Sequence, residues 1–190
     1  MRRLEAVGAV VASLLLSGGF AAAYVDGPPP GYSGGFGEPT CHVCHFDQVL
    51  DDSAGRLEVQ GFPEAFEPGA RYEVGVTVAR PGTARAGFQL TVRFSGGTRA
   101  GQQAGHLSGG EEGVGVVEDA SGVQYARQGR EGSPVAADGI ARWIVRWEAP
   151  ADAEGEVSLH VAANAANDDA SELGDFVYVG EWRSRSRGAR

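Results

Sequence analysis

The chain has 190 residues, of which 42% are hydrophobic and 22% are charged, and its formal net charge is −9. This length suits one domain preceded by a processed leader, and the composition is that of a globular protein. The negative charge argues against nucleic acid or an anionic membrane surface as a partner, because both repel an acidic protein.

Residues 1–23 have the features of a secretory signal. Arg2 and Arg3 precede an apolar stretch from Val7 to Leu16, and Ala21–Ala23 supply a cleavage site of small residues. The apolar stretch is too short for a transmembrane helix. We therefore expect removal of this signal peptide, a mature chain without a membrane span, and a periplasmic or secreted protein.

Residues 24–55 form the next segment, which is rich in Pro, Gly and Ser and should be extended without a core of its own. It contains Cys41–His45, with the sequence CHVCH and both cysteines of the chain. The C-x-x-C-H pattern is typical of covalent c-type haem attachment. Two thiols at this spacing can each add to one haem vinyl group, and the following imidazole then faces the iron. We predict that Cys41 and Cys44 bind one haem c and that His45 is the proximal iron ligand.

The two cysteines allow other interpretations. They could form a disulfide, although no buried strand precedes them as it does in a redox-active C-x-x-C. Zinc would need further ligands, and the sequence has no second C-x-x-C and no H-x-x-x-H. The disulfide is therefore the main alternative to haem. Export suits both, because thiols react with haem or with each other outside the reducing cytoplasm.

A second axial ligand is harder to assign. Met1 is the only methionine and lies in the leader, so the mature chain cannot supply a His/Met pair. His106, in a glycine-rich loop, is a candidate distal ligand, whereas His160 lies on a strand face expected to meet solvent. His42 is too close to Cys41 to reach the far side of its own haem. An open iron is the remaining alternative, and it would allow ligand sensing or peroxidase-like chemistry.

Two polar features have plainer interpretations. Arg85 precedes a strand and could reach a haem propionate, but a surface arginine at a turn is the favoured interpretation. The oxygen-rich stretch from Asn164 to Asp175 lacks the regular ligand spacing of a calcium loop, so we expect an Asx loop between two strands.

From residue 56 onward the sequence shows the patterns of short strands. In Tyr72–Ala79, aromatic and valine side chains fall on one face at period two. Trp143 and Trp147 share a strand face and should lie in the core. No segment keeps a helical period over three turns. Turn residues separate eight predicted strands: Leu57–Gly61, Tyr72–Ala79, Gly87–Ser95, Val114–Glu118, Val123–Arg127, Ile140–Trp147, Glu156–Ala163 and Asp175–Trp182.

These strands predict an all-β, immunoglobulin-like antiparallel β-sandwich over residues 56–183, followed by a basic tail at residues 184–190. The chain also resembles the reelin-like (Reeler) domain, and especially its bacterial secreted branch, which combines a signal peptide, a Gly/Pro-rich segment and C-x-x-C-H. The motifs that carry the resemblance are, in order, Gly27–Tyr32, Pro39–Cys41, Tyr72–Val74, Ala86–Leu90, Trp147–Pro150 and Ala163–Asp168.

The resemblance covers nearly all of the mature chain and implies the same sandwich fold in an extracellular binding or accessory module. There is one departure: the family often has a His-Thr pair in mid-domain, and the corresponding stretch Tyr125–Gly129 has no histidine.

Two functions follow from these observations. The first is an exported single-haem protein that transfers electrons to an unidentified redox partner. The alternative is an extracellular Reeler-type interaction module in which Cys41 and Cys44 form a disulfide. No Ser-His-Asp, paired-carboxylate or phosphate-loop pattern indicates an enzyme.

Overall fold

The computed structural model describes residues 24, 26–133, 135–136, 138–152 and 155–188. The predicted signal peptide, residues 1–23, lies outside the described residues. Within them the chain forms ten β-strands and four short 3-10 helices, and no α-helix. In the same ranges, no helix has the length and apolar character needed to cross a membrane.

The ten strands form two sheets. The strands are β1 (Arg56–Gln60), β2 (Ala65–Phe66), β3 (Arg71–Ala79), β4 (Arg85–Phe94), β5 (His106–Gly109), β6 (Val114–Glu118), β7 (Gln124–Gln128), β8 (Ile140–Glu148), β9 (Glu156–Ala166) and β10 (Phe176–Ser186). The four-stranded sheet has the order β1-β3-β8-β5, and the six-stranded sheet has the order β2-β10-β9-β4-β7-β6. All strand pairs are antiparallel except β2 with β10, which are parallel.

The hydrophobic core lies between the two sheets and follows the period-two pattern of the sequence. Along β8, every second residue from Ala141 to Trp147 is buried. Trp147 is fully buried, its ring stacks on Tyr72 at a centroid distance of 5.5 Å, and its indole N–H donates to the Ala104 carbonyl at 2.9 Å. Trp143 is also buried and stacks on Phe88. The predicted core position of both tryptophans is confirmed.

All eight predicted strands are present; Val114–Glu118 has the predicted bounds, and the other seven have shifted ends. The predicted β-sandwich is confirmed. Two strands were not predicted. β2 is too short to show alternation, and β5 lies in the glycine-rich stretch that was predicted to be a loop. β9 and β10 also run past their predicted ends. β10 continues to Ser186, so residues 184–186 of the predicted basic tail belong to a strand.

The N-terminal segment (residues 26–55) contains no strand, yet it packs across the outer face of the six-stranded sheet. The clearest evidence is Gln89 on β4, which points away from the core and is nevertheless fully buried. Its side-chain oxygen accepts from the Tyr32 N–H at 2.5 Å, and its amide group donates to the Pro29 carbonyl at 2.7 Å. Arg127 on β7 donates to two further carbonyls of this segment. β4 is therefore buried on both faces.

A second attachment of the N-terminal segment is ionic. Glu38 accepts hydrogen bonds from Arg93 on β4, from the Tyr125 hydroxyl at 2.5 Å and from the Ser33 hydroxyl at 2.6 Å. The side chains of Arg93 and Glu38 are only 7% and 15% exposed. Burial acts to raise the pKa of Glu38, but the hydrogen bonds from Ser33, Tyr125 and Arg93 outweigh it and leave the pKa below its usual value. Burial and the bond to Glu38 raise the pKa of Tyr125.

A third attachment is steric and needs a glycine. A Cβ on Gly35 would lie 2.5 Å from the Cγ of His160, so only glycine allows the backbone to pass so close. The neighbouring Phe36 ring meets the His160 ring edge-on at 5.3 Å. His160 does point away from the core, as the alternation predicts, but its side chain is only 13% exposed. The predicted solvent-facing position of His160 is therefore wrong, because the N-terminal segment covers it.

Candidate functional site

The CHVCH sequence folds into a single tight turn on the outside of the sandwich. Cys41–Val43 form a short 3-10 helix, and the Thr40 hydroxyl caps it by accepting the His42 N–H at 3.1 Å. The N–H groups of Cys44 and His45 both donate to the Cys41 carbonyl, at 3.2 and 3.1 Å. The turn packs against β9 and β10. Its five residues therefore form one ordered unit on the six-stranded sheet.

His45 is held by a buried carboxylate. Its Nδ1 lies 2.7 Å from Oδ2 of Asp175, which is the residue directly before β10. Asp175 is 1% exposed, whereas the His45 side chain is 28% exposed. No described residue hydrogen-bonds the other ring nitrogen, Nε2 of His45. The imidazole is thus fixed on its protein side and available on the other.

Further contacts fix the chain that follows the turn. Asp47 accepts the N–H of Gly174 at 3.0 and 3.1 Å, from the loop that carries Asp175. Asp51 forms two hydrogen bonds with β10: its N–H donates to the Val177 carbonyl, and its carboxylate accepts the Val179 N–H. The CHVCH turn is consequently anchored on both sides of His45.

The two cysteines are both free thiols, and they differ in environment. Cys44 is exposed. Cys41 is partly covered, and burial raises the pKa of its thiol to about 12. Because the thiolate is the reactive form of a cysteine, Cys41 should react more slowly than the exposed Cys44 in the folded chain.

Exposed apolar side chains surround the turn. Seven large hydrophobic side chains are exposed in the described part of the chain; four of them lie within residues 41–50 and a fifth lies in the loop before β10. Clustered exposed apolar groups indicate a surface that a ligand or partner covers. We call residues 41–50 together with Leu173 the CHVCH face. Its exposed apolar residues are Val43, Phe46, Val49, Leu50 and Leu173.

The remaining histidines lie elsewhere or are already engaged. His106, the candidate distal ligand, begins β5 at the edge of the four-stranded sheet and bonds Gln124 through Nδ1 at 3.1 Å. The structure therefore does not bring His106 to the CHVCH face, which lies over β9 and β10 of the other sheet. His42 bonds the Gln48 carbonyl through Nε2 at 2.9 Å. His160 is covered by Gly35 and Phe36.

The two minor polar predictions have clear outcomes. Arg85 forms a two-point ion pair with Asp168, with distances of 2.7 and 3.3 Å, so it is a surface arginine with a partner of its own. The stretch after Asn164 is an Asx-rich loop, in which Asn167 accepts the N–H of Asp169 and Asp169 accepts the N–H of Ser171. Among the described residues, no cluster of three or more His, Cys, Asp or Glu side chains is placed to hold a metal ion.

Asp175 is the site residue that the sequence analysis did not single out. It appeared only at the end of an oxygen-rich stretch and as the first residue of the predicted strand Asp175–Trp182, and it lies 130 residues from His45 along the chain. Its position at the start of a predicted strand was the only signal in the sequence. The sequence does not show that its carboxylate is buried.

The two-sheet arrangement defines a class: a β-sandwich with a Reeler-like fold. The Reelin-N domain of F-spondin is similar to this chain with a TM-score of 0.51 and 17% sequence identity, over 77% of this chain and 97% of that domain. The expected Reeler-like fold is thereby confirmed. At this identity the similarity concerns the fold alone.

Two further solved structures are more distant. A human F-spondin reeler domain matches with a TM-score of 0.46 and 19% identity, over 72% of this chain and 93% of its own. A cohesin module from a Clostridium perfringens family 33 glycoside hydrolase matches with a TM-score of 0.44 and 10% identity, over 72% of this chain and 100% of its own. No protein-family model and no curated protein sequence matches the chain.

Proposed function

We propose that this chain is an exported Reeler-fold module whose binding surface is the CHVCH face, and that this face carries one covalent haem c for electron transfer. The observation that carries the proposal is the state of His45. Its Nδ1 is held 2.7 Å from the buried carboxylate of Asp175, while Nε2 has no partner among the described residues. Metal-bound histidines commonly donate their second ring nitrogen to a carboxylate in this way.

The residues present fit the group that the motif implies. Cys41 and Cys44 would hold it through thioether bonds, and Nε2 of His45 would bind the iron. When bound, haem supplies one-electron chemistry that the side chains alone lack. Exposed apolar residues such as Phe46 and Leu50 would exclude water from one edge of the ring. Cys41 is partly covered in the folded chain and Cys44 is exposed, so Cys44 is the more accessible of the two thiols that would hold the group.

A second candidate function uses the same face without haem. Here the CHVCH face binds a protein partner, Cys41 and Cys44 form a disulfide, and the sandwich is an extracellular interaction module. The fold favours this candidate, because the resemblance to Reeler domains implies a binding or accessory module and the Reelin-N domain of F-spondin has the same fold. The geometry of His45 and Asp175 favours haem. The signal-like leader supports a periplasmic or secreted location in both cases.

The mass of the mature protein separates the two candidates. The full chain, with its own leader, is produced in a host that carries the haem-maturation machinery. Covalent haem adds roughly 0.6 kDa and a Soret band, whereas a disulfide only removes the thiol hydrogens. The double variant Cys41→Ala/Cys44→Ala is the matched control and should lack both signals. A wild-type protein with the disulfide mass and no Soret band would replace the haem proposal with the interaction module.

A further inference from the structure

We infer that Asp175 is the positioning residue of the CHVCH face: its buried carboxylate fixes the tautomer and direction of His45 and lowers the reduction potential of an iron bound at Nε2. The part of this inference that concerns the potential rests on the proposed haem attachment. The part that concerns the tautomer depends only on the chain itself.

The tautomer follows from the hydrogen bonds of the carboxylate. Oδ1 of Asp175 accepts the backbone N–H of Asn167 at 3.2 Å, and Oδ2 is contacted by the side-chain amide of Asn164 at 3.5 Å and by His45 at 2.7 Å. The contacts from Asn167 and Asn164 are both donated by nitrogen, as expected for a carboxylate that only accepts. The third contact then requires a proton on Nδ1 of His45, and in the neutral ring this leaves the Nε2 lone pair free to bind a metal.

The direction of the ring follows from two rigid supports. Asp175 lies directly before β10, whose first residue, Phe176, is paired with Ala165 of β9. His45 ends the turn that is anchored by Cys41 and, two residues later, by Asp47. Side chains held by regular structure are positioned more precisely than side chains on free loops. The imidazole is thus presented before any ligand arrives.

The effect on an iron follows from charge. Asp175 is 1% exposed and has no arginine among its described hydrogen-bonding partners, so its negative charge is poorly screened. The negative charge of Asp175, hydrogen-bonded to the imidazole of His45, stabilises the oxidised, more positive iron relative to the reduced iron. The reduction potential is therefore lower than with a neutral partner. Removal of such an outer partner commonly changes metal affinity by about 10- to 100-fold.

The first experiment needs no haem. The tautomer of His45 is measured in the mature, haem-free chain by nitrogen NMR of labelled histidine at neutral pH. We expect the Nδ1–H tautomer in the wild type and loss of this preference in Asp175→Asn. The matched control is Asp168→Asn, which removes an exposed carboxylate of the same loop that pairs with Arg85 and does not contact His45. An Nε2–H tautomer in the wild type would overturn the inference, whether or not the chain carries haem.

The second experiment uses the haem-loaded protein. Asp175→Asn should raise the midpoint potential by about 59 mV, which corresponds to a tenfold change in a one-electron equilibrium. Asp168→Asn should leave the potential close to that of the wild type. An unchanged potential in a folded, haem-loaded Asp175→Asn protein would overturn the assigned effect on the iron, even if haem attachment itself is confirmed by mass.

Discussion

The two faces of the six-stranded sheet are both covered, but by different chemistry. Its inner face packs on the other sheet through aromatic and aliphatic side chains such as Trp143 and Phe88. Its outer face is covered by the N-terminal segment through hydrogen bonds and a buried ion pair, with Gln89, Arg93 and Asp175 as the sheet-side partners.

The difference has a physical meaning. Apolar contacts are non-directional and tolerate small shifts, whereas a buried polar group that loses its partner costs about 1 to 3 kcal/mol. The inner face therefore stabilises the sandwich as a whole. The outer face selects one alignment of the N-terminal segment, because a shifted segment would leave Gln89, Arg93 and Asp175 without partners. This alignment is what places the CHVCH turn over β9 and β10.

The largest expected effect is on the inner face. Trp147→Ala should lower the free energy of unfolding by about 3 to 5 kcal/mol, because it opens a large cavity between the sheets. Urea unfolding followed by the remaining tryptophan fluorescence measures this. Trp182→Ala, at a partly buried position on β10, is the control and should cost less. Equal losses in the two variants would contradict a core centred on Trp147.

The next largest effect is on the outer face. Arg93→Ala removes the charged partner of Glu38 under the N-terminal segment, and we expect a loss of about 3 kcal/mol because a carboxylate is left buried. The matched control is Arg71→Ala, which breaks the exposed pair of Arg71 with Glu148 and should cost less than about 1 kcal/mol. If both variants lose the same small amount in urea unfolding, the N-terminal segment is not held by this ion pair.

A steric test of the same interface is Gly35→Ala. The added Cβ would meet the His160 ring, so the segment must shift, at an expected cost of about 2 kcal/mol, typical of overpacking. Gly96→Ala is the matched control, because a Cβ there meets nothing within 4 Å. Differential scanning calorimetry should show a lower Tm only for Gly35→Ala. A Tm equal to that of the Gly96 variant would rule out the close approach to His160.

The smallest effect is a pH dependence. The pKa of Glu38 is lowered in the folded chain, so its stabilising effect is fully present above the unfolded value of 4.5 and is lost as the pH falls through the folded pKa. The difference in unfolding free energy between wild type and Glu38→Gln should therefore shrink by about 1 kcal/mol, the size of one hydrogen bond, on acidification below pH 4.5. Urea unfolding at pH 6 and at lower pH measures this difference, and a constant difference would contradict the lowered pKa.

Much of the fold was predictable because its signal is local. Alternation in Tyr72–Ala79 and around Trp147 marks strands by period two, and a two-sheet sandwich is the usual way to bury such strands. β2 and β5 escaped prediction because one is two residues long and the other lies among glycines.

The candidate site was predictable only through its local motif. By itself, the sequence determined the CHVCH motif and the strand pattern, since both depend on neighbouring residues, and the motif predicts that Cys41, Cys44 and His45 would hold a haem. The tertiary structure alone decided that Asp175 holds His45, that Glu38 meets Arg93, and that the N-terminal segment covers His160. These contacts join residues far apart in the chain, and they depend on the register of β4, β9 and β10, which no local pattern specifies.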